Sequence, residues 1–208
     1  MAADMLDYLL SNKLLNSNQH SFLSKRCTLT NLLESISDWA ISLENRFANR
    51  VEYIDFSRAF GAVSHPKLLY KLKSYGIEGV LHQRIGNFLT ERSHCTRVNN
   101  VYSSFDYIRT GVVQGSCLGP LLFLIYINDI IDCFDDKVNC NLYADDAKLY
   151  TELRSGDSYC FQECIDSIYI SDLLHGSYKY LVRSVVLLML ASLLLLTTDT
   201  FVVSAMNV

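Results

Sequence analysis

Leu142-Tyr143-Ala144-Asp145-Asp146-Ala147-Lys148-Leu149-Tyr150 sets two adjacent carboxylates between two runs of strand-forming residues. Such flanks suit a tight hairpin whose tip presents negative charge, a place where a divalent cation can be held. Alone, the pair also reads as ordinary turn chemistry, because Asp bonds its own backbone and tolerates left-handed conformations. Two upstream stretches change the balance. Val51-Glu52-Tyr53-Ile54-Asp55-Phe56-Ser57-Arg58-Ala59-Phe60 puts a carboxylate at the end of a short strand in which Val51, Tyr53 and Asp55 share a face. Gly111-Val112-Val113-Gln114-Gly115-Ser116-Cys117-Leu118-Gly119-Pro120-Leu121-Leu122-Phe123 supplies a loop running into a helix. In that loop Gly111 and Gly115 let the backbone approach a ligand closely.

These three stretches, in this order, resemble motifs A, B and C of reverse transcriptases, most closely those of non-LTR (LINE-type) retrotransposons. The resemblance covers about residues 10 to 150. It implies an α+β fold, a fingers and palm fragment in which helices pack on an antiparallel palm sheet. Residues 1–50 would be a fingers-like helical segment, 51–152 the palm with all three motifs, and 153–208 a divergent tail. By resemblance Asp55, Asp145 and Asp146 are the catalytic carboxylates and hold Mg²⁺ or Mn²⁺, Asp146 less directly than the other two. Phe60 takes the position that senses the sugar and blocks a 2′-hydroxyl, and Gln114, with Gly115, contacts the nucleotide or the template base. Gln19-His20-Ser21-Phe22-Leu23-Ser24-Lys25-Arg26-Cys27-Thr28 resembles the fingers segment of the same family, which places Lys25 and Arg26 near the incoming triphosphate. The implied partners are an RNA template, a DNA primer and a deoxynucleoside triphosphate. Gly61 departs from the pattern, since an Asp is usual there.

Half of the 208 residues are apolar, enough for a sizeable core, and the net charge is −4. An acidic chain argues against a nucleic-acid binder until the charges are placed. From Arg58 to Arg109 eight Lys or Arg face three acids; from Thr110 to Asp146 one Lys faces six Asp. A basic segment followed by an acidic one fits a surface for phosphates beside a site for metal. Seven cysteines without a Cys-x-x-Cys pair, an odd count and no cleavable leader favour a reducing compartment. Cys160, Cys164 and His175 make only a weak zinc pattern.

The helical expectations are local. Thr28 or Thr30 can cap a helix whose Leu32, Leu33, Ile36, Trp39, Ala40 and Leu43 form one apolar stripe, read as core. His65-Pro66 opens a second helix that Gly76 stops. A third runs from about Glu78 to Thr90, and strands follow around an Asn99-Asn100 turn. Leu118 to Ile131 is apolar almost all round and should be buried.

Past Tyr150 the motif pattern fades, and no thumb is recognisable. Residues 184–206 are apolar enough to cross a membrane as a helix, although Asp199 weakens that expectation. Three readings follow: a reverse transcriptase domain, weakly active or inactive because the tail is acidic and lacks a phosphate grip; a non-catalytic remnant that binds nucleic acid; and an interaction protein anchored through 184–206. Oligomeric state is not legible.

Overall fold

The computed structural model describes residues 1–56, 58–153, 183–189 and 202–205. Cys160, Cys164, His175 and residues 190–201 lie outside them. In chain order the elements are α1 (Ala2–Ser11), α2 (Thr28–Glu44), β1 (Ala48–Asp55), α3 (Ala59–Ala62), α4 (His65–Ser74) and α5 (Gly79–Leu89). There follow β2 (Ser93–His94), β3 (Arg97–Val98), β4 (Val101–Tyr102), β5 (Asp106–Tyr107), α6 (Gly119–Ile127), a 3-10 helix (Asn128–Cys133), β6 (Asn139–Tyr143), β7 (Asp146–Leu153), β8 (Arg183–Met189) and β9 (Val202–Ala205). The chain divides into two compact units, one of residues 1–15 and 58–128, the other of residues 16–57 and 129–208.

The first unit is helical with a small hairpin. Pro66 stands in the first turn of α4, where its missing N–H costs nothing, and Leu68 and Leu72 are fully buried. Gly76 at φ 77 ends that stretch, with its N–H donating to the Lys73 carbonyl at 2.9 Å. Ile85 and Leu89 bury one face of α5. Every residue from Leu121 to Ile127 in α6 is buried, as a helix without a polar face requires. Its N-terminal turn is closed by Ser116, whose Oγ accepts the Gly119 N–H at 2.9 Å and donates to the Val113 carbonyl at 2.7 Å. A Cβ on Gly119 would sit 2.5 Å from that carbonyl, so the helix starts where it does only with glycine there.

The second unit is an antiparallel sheet in the order β6-β7-β1-β8-β9. β1 pairs with β7 from Ala48↔Leu153 to Asp55↔Asp146, and β6 with β7 from Asn139↔Tyr150 to Tyr143↔Asp146. On its other side β1 pairs with β8 from Asn49↔Met189 to Asp55↔Arg183. The antiparallel palm-like sheet with packed helices is therefore present as expected. Within the expected membrane helix of residues 184–206, the described stretches are strands: β8 pairs with β1 and β9 with β8. Val185, Val186, Val202 and Val203 give those stretches the β-branched content that suits pairing. Among the described residues no helix is long and apolar enough to cross a membrane.

The buried face of α2 also differs from expectation. The helix spans the expected segment, yet Leu32, Leu33, Ile36 and Leu43 are exposed. Ala40 is exposed as well, Trp39 is buried as expected, and Asn31, Ser35 and Ser42 share the inward face with it. This face wins because β6 and β7 offer it polar partners. Asn31 Nδ2 donates to the Leu142 carbonyl at 3.2 Å and Asn141 Nδ2 to Ser35 Oγ at 3.1 Å. The buried Lys148 ammonium donates to Asn31 Oδ1 at 2.8 Å and lies 5.8 Å from the centre of the Trp39 ring. Leaving such groups unbonded inside would cost about 1–3 kcal/mol each, comparable with what burying a leucine gains.

Candidate active site

The three carboxylates lie in the sheet unit, at the β6-β7 turn and the end of β1. Asp55 closes β1 and stands directly opposite Asp146, the first residue of β7. Asp145 and Ala144 form the two-residue turn between β6 and β7. The register therefore makes Asp146, expected to be the less direct member, the cross-strand partner of Asp55. Burial raises the Asp145 carboxyl above the usual range, and the charge of Asp55 adds to the rise. Burial raises Asp146 as well, with Asp145 and then Asp55 adding to it. A cleft of about 490 Å³ opens beside them, lined by Asp55 and Asp146 together with Asn31, Asn141, Tyr143 and Lys148.

The tip is held under strain. Ala144 has φ 56, in the left-handed region where a residue with a Cβ costs about 1–2 kcal/mol. The compensation comes from Gln19, a residue to which the motif resemblance assigns no role. Its Oε1 accepts the Ala144 N–H at 3.0 Å, the Ser21 N–H at 3.0 Å and the Ser21 hydroxyl at 2.9 Å. The backbone on either side of it lies against β6: Leu142 donates to Asn18 O and His20 donates to Leu142 O, each at 2.9 Å. The segment of residues 18–21 thus clamps the hairpin that carries the acids. Gln19→Leu is expected to lower unfolding stability by about 1–3 kcal/mol, because two buried backbone N–H groups lose their acceptor. Urea denaturation checks this, and a midpoint equal to that of the parent chain would remove Gln19 from the account.

Lys25 and Arg26 are divided by the structure. Lys25 is exposed, at φ 64, with no ion pair among the described residues. Arg26 turns onto its own loop, where Nη1 donates to the Ser17 and Gln19 carbonyls and lies 3.3 Å from His20 Nε2. Its present contacts therefore organise the loop that holds Gln19.

His20 is buried between Thr30 Oγ1 at 3.0 Å and the Glu34 carboxylate at 2.7 Å. Burial holds its imidazole below the ordinary value; Glu34 opposes this, and Arg26 and Lys148 add to it. A folded value below the unfolded one means the unfolded chain takes up the proton first. The neutral-histidine contribution is complete above about pH 6.5 and is lost as pH falls through the depressed value. His20→Gln should flatten the stability profile between about pH 7 and 5. Parallel urea midpoints for the two chains across that window would refute it.

Phe60, Gln114 and Gly115 belong to the helical unit. Phe60 stacks on Phe123 with ring centres 4.2 Å apart and planes at 16°. Its carbonyl accepts the Val112 N–H at 2.8 Å, so this ring and the loop before α6 are held together. Gln114 and Gly115 are exposed, or nearly so, and Gly115, at φ 79, has nothing within 4 Å of where a Cβ would be. Gly111 differs. Its close neighbour is the chain's own Gly61 backbone, so its lack of a side chain serves the fold.

No group of three or more His, Cys, Asp or Glu forms a ready metal cage among the described residues. The carboxylates nevertheless suit Mg²⁺, which binds through one or two carboxylates and completes its shell with water and substrate phosphates. Their mutual repulsion is the property a cation relieves.

Comparison with known proteins bears on the family and fold of the chain. Residues 1–169 fit the family described as reverse transcriptase (RNA-dependent DNA polymerase), a span that contains all three motifs. The RNA-directed DNA polymerase from mobile element jockey of Drosophila funebris is 30% identical over 179 residues, covering 79% of this chain and 19% of that protein. Its counterpart in Drosophila melanogaster is 32% identical over 120 residues, covering 55% and 13%. The chain thus spans less than a fifth of the length of these relatives. A solved telomerase from Candida tropicalis, in complex with a fragment of telomeric RNA, superposes with TM-score 0.65 at 12% identity, over 90% of this chain and 33% of that one. At that identity the likeness speaks for the fold alone. Shared sequence over residues 1–169 and a shared fold of antiparallel sheet and helices lead to one conclusion: this chain belongs to the reverse transcriptase family.

Proposed function

We propose that the chain supplies the fingers and palm portion of an RNA-directed DNA polymerase of the non-LTR retrotransposon type. The observation that carries this reading is the register of Asp55 against Asp146 with Asp145 in the adjoining turn, which brings three acids together at one end of the sheet. Asp55, Asp145 and Asp146 would hold Mg²⁺ or Mn²⁺. When bound, the metal supplies charge stabilisation to the attacking and leaving oxygens of the phosphoryl transfer.

The remaining roles belong to the chain itself. Gln19 fixes the hairpin, so the acids keep their places without reorganising during the reaction. Phe60, its ring fixed against Phe123, presents bulk to the sugar and disfavours a 2′-hydroxyl. Gln114 and Gly115 offer a polar side chain and an open backbone to the nucleotide or template base. Lys25 offers charge to the triphosphate, and Arg26 shapes the loop from which Lys25 projects. The partners are an RNA template, a DNA primer and a deoxynucleoside triphosphate.

The test is single-turnover addition of one labelled deoxynucleotide to a DNA primer annealed to RNA, with the 208-residue chain in excess and Mn²⁺ or Mg²⁺ present. Slow addition is expected, directed by the template base and absent from the Asp55→Asn chain. Addition that ignores the template base, or survives Asp55→Asn, would reject the reading.

A further inference from the structure

Residues 92–108 form one interrupted hairpin. Ser93 pairs with Tyr107 and His94 with Asp106; beyond them Arg97 pairs with Tyr102 and Val98 with Val101. Asn99 and Asn100 make the turn, both at positive φ, which is the geometry that matches the twist of a two-residue hairpin. Further bonds continue the ladder, with Ile108 N–H donating to Arg92 O at 2.8 Å and Ser103 N–H to Thr96 O at 2.9 Å. The inner and outer pairs are offset by one residue, so Ser104 and Phe105 form a bulge opposite Cys95.

The bulge decides which side chains share a face. Alternation along the strands puts Arg97, Tyr102 and Tyr107 on one side, with the bulge carrying Phe105 between the two tyrosines; Val98 and Val101 take the other side. Tyr102, Phe105 and Tyr107 are 59%, 72% and 73% exposed, and three such rings on one face make a contiguous patch of the kind that marks a binding site. The Arg97 guanidinium lies 5.4 Å from the centre of the Tyr102 ring.

We propose that this face is a stacking platform for single-stranded nucleic acid. Three observations select that occupant. First, alternate residues on a strand are about 6.7 Å apart, twice the ~3.4 Å rise of stacked bases, so the rings suit bases that have been splayed out. Second, the segment from Arg92 to Arg109 carries three arginines against Asp106 alone, a positive stretch in a chain of net charge −4, and arginine beside aromatic rings serves both phosphate and base. Third, the face is too small for a stable protein interface. The three rings together expose roughly 300–500 Å², against about 800 Å² per partner in an ordinary complex. Under the polymerase reading the bound strand is the RNA template, but the binding chemistry stands without that reading.

The test is the affinity of the full chain for fluorescein-labelled oligouridine and oligothymidine, measured by anisotropy. Tyr102→Ala combined with Tyr107→Ala should weaken binding about thirtyfold or more for both oligomers, while Tyr102→Phe with Tyr107→Phe should restore it, since the ring and not the hydroxyl does the stacking. Photocrosslinking of an oligomer bearing 5-iodouracil should label Tyr102, Phe105 or Tyr107. A preference for oligouridine assigns the face to RNA; equal binding assigns it to either strand. The proposal is overturned if the alanine pair binds as the parent does, or if crosslinks fall elsewhere. It is also overturned if these substitutions abolish a concentration-dependent dimer, which would make the face a contact between copies of the chain. The Asp145→Asn chain keeps the two questions apart: it should bind oligomers normally, so lost nucleotide addition with intact binding concerns the polymerase reading alone.

Discussion

Asp145→Asn is expected to reduce single-turnover nucleotide addition by about a thousandfold and to weaken Mn²⁺ binding at least about tenfold. Charge stabilisation by bound metal is worth several kcal/mol in a transition state, and each ~1.4 kcal/mol is a factor of ten in rate. The substitution keeps the size of the side chain and removes only its charge. Because burial and Asp55 already disfavour that charge in the folded chain, the metal-free variant should be slightly more stable than the parent at neutral pH. A loss of activity accompanied by a gain in stability cannot come from misfolding. Asp146→Asn, measured beside it, ranks the two acids. Since Asp146 stands opposite Asp55, the ordering in which Asp145 is the more direct ligand is open to reversal by this comparison. Mn²⁺ affinity unchanged in both variants would mean that the hairpin is a turn and nothing more.

The parts legible in the sequence are those fixed by local rules. The hairpin that carries Asp145 and Asp146, Pro66 and Gly76 bounding a helix, and the Asn99-Asn100 turn each follow from a few neighbouring residues, although the hairpin turns at Ala144-Asp145 and leaves Asp146 in β7; the apolar α6 is buried as its composition requires but ends at Ile127, short of the expected Ile131. Hydropathy misassigns the inward face of α2 because it ranks the leucines above Asn31, Ser35 and Ser42. Those polar groups are inside because of Leu142, Asn141 and Glu152, more than a hundred residues away, which bond them. Gln19 is illegible for the same reason. One side-chain oxygen serving Ala144, 125 residues distant, leaves no periodic trace. The apolar run at 184–206 matches a bilayer in length, and length cannot tell a spanning helix from paired strands when neither partner strand is known.

The largest stability effect is expected at Gly111, where two requirements coincide. The residue is at φ 93, where an L side chain is strained by about 1–2 kcal/mol. A Cβ there would also lie 2.9 Å from the Gly61 carbonyl oxygen, 3.0 Å from its Cα and 3.1 Å from Phe60 O, all backbone atoms that cannot rotate away. The contact is held closed from several sides. Gly111 N–H donates to Val63 O at 2.7 Å, the buried His65 Nε2 donates to Gly111 O at 2.7 Å, and Thr110 Oγ1 donates to Gly61 O at 2.9 Å. Overpacking of this kind adds about 1–3 kcal/mol to the conformational strain, so Gly111→Ala should cost about 3 kcal/mol or more. Gly61 is the natural control. It sits in the short helix α3, is exposed and has nothing within 4 Å of the place a methyl group would take, so Gly61→Ala should be neutral or gain up to about 1 kcal/mol in helix propensity. The family's usual aspartate should fit there equally well. Gly115→Ala, at positive φ but in open space, should fall between the two. Urea denaturation of the three alanine variants gives the order directly, and a Gly111→Ala midpoint no lower than that of Gly61→Ala would refute the close approach of these two segments. Gly111→Ala should also displace Phe60, whose carbonyl is bonded to Val112. Under the role proposed for Phe60, discrimination between deoxy- and ribonucleotides should then relax in whatever addition survives, a readout that a purely global loss of stability would not move.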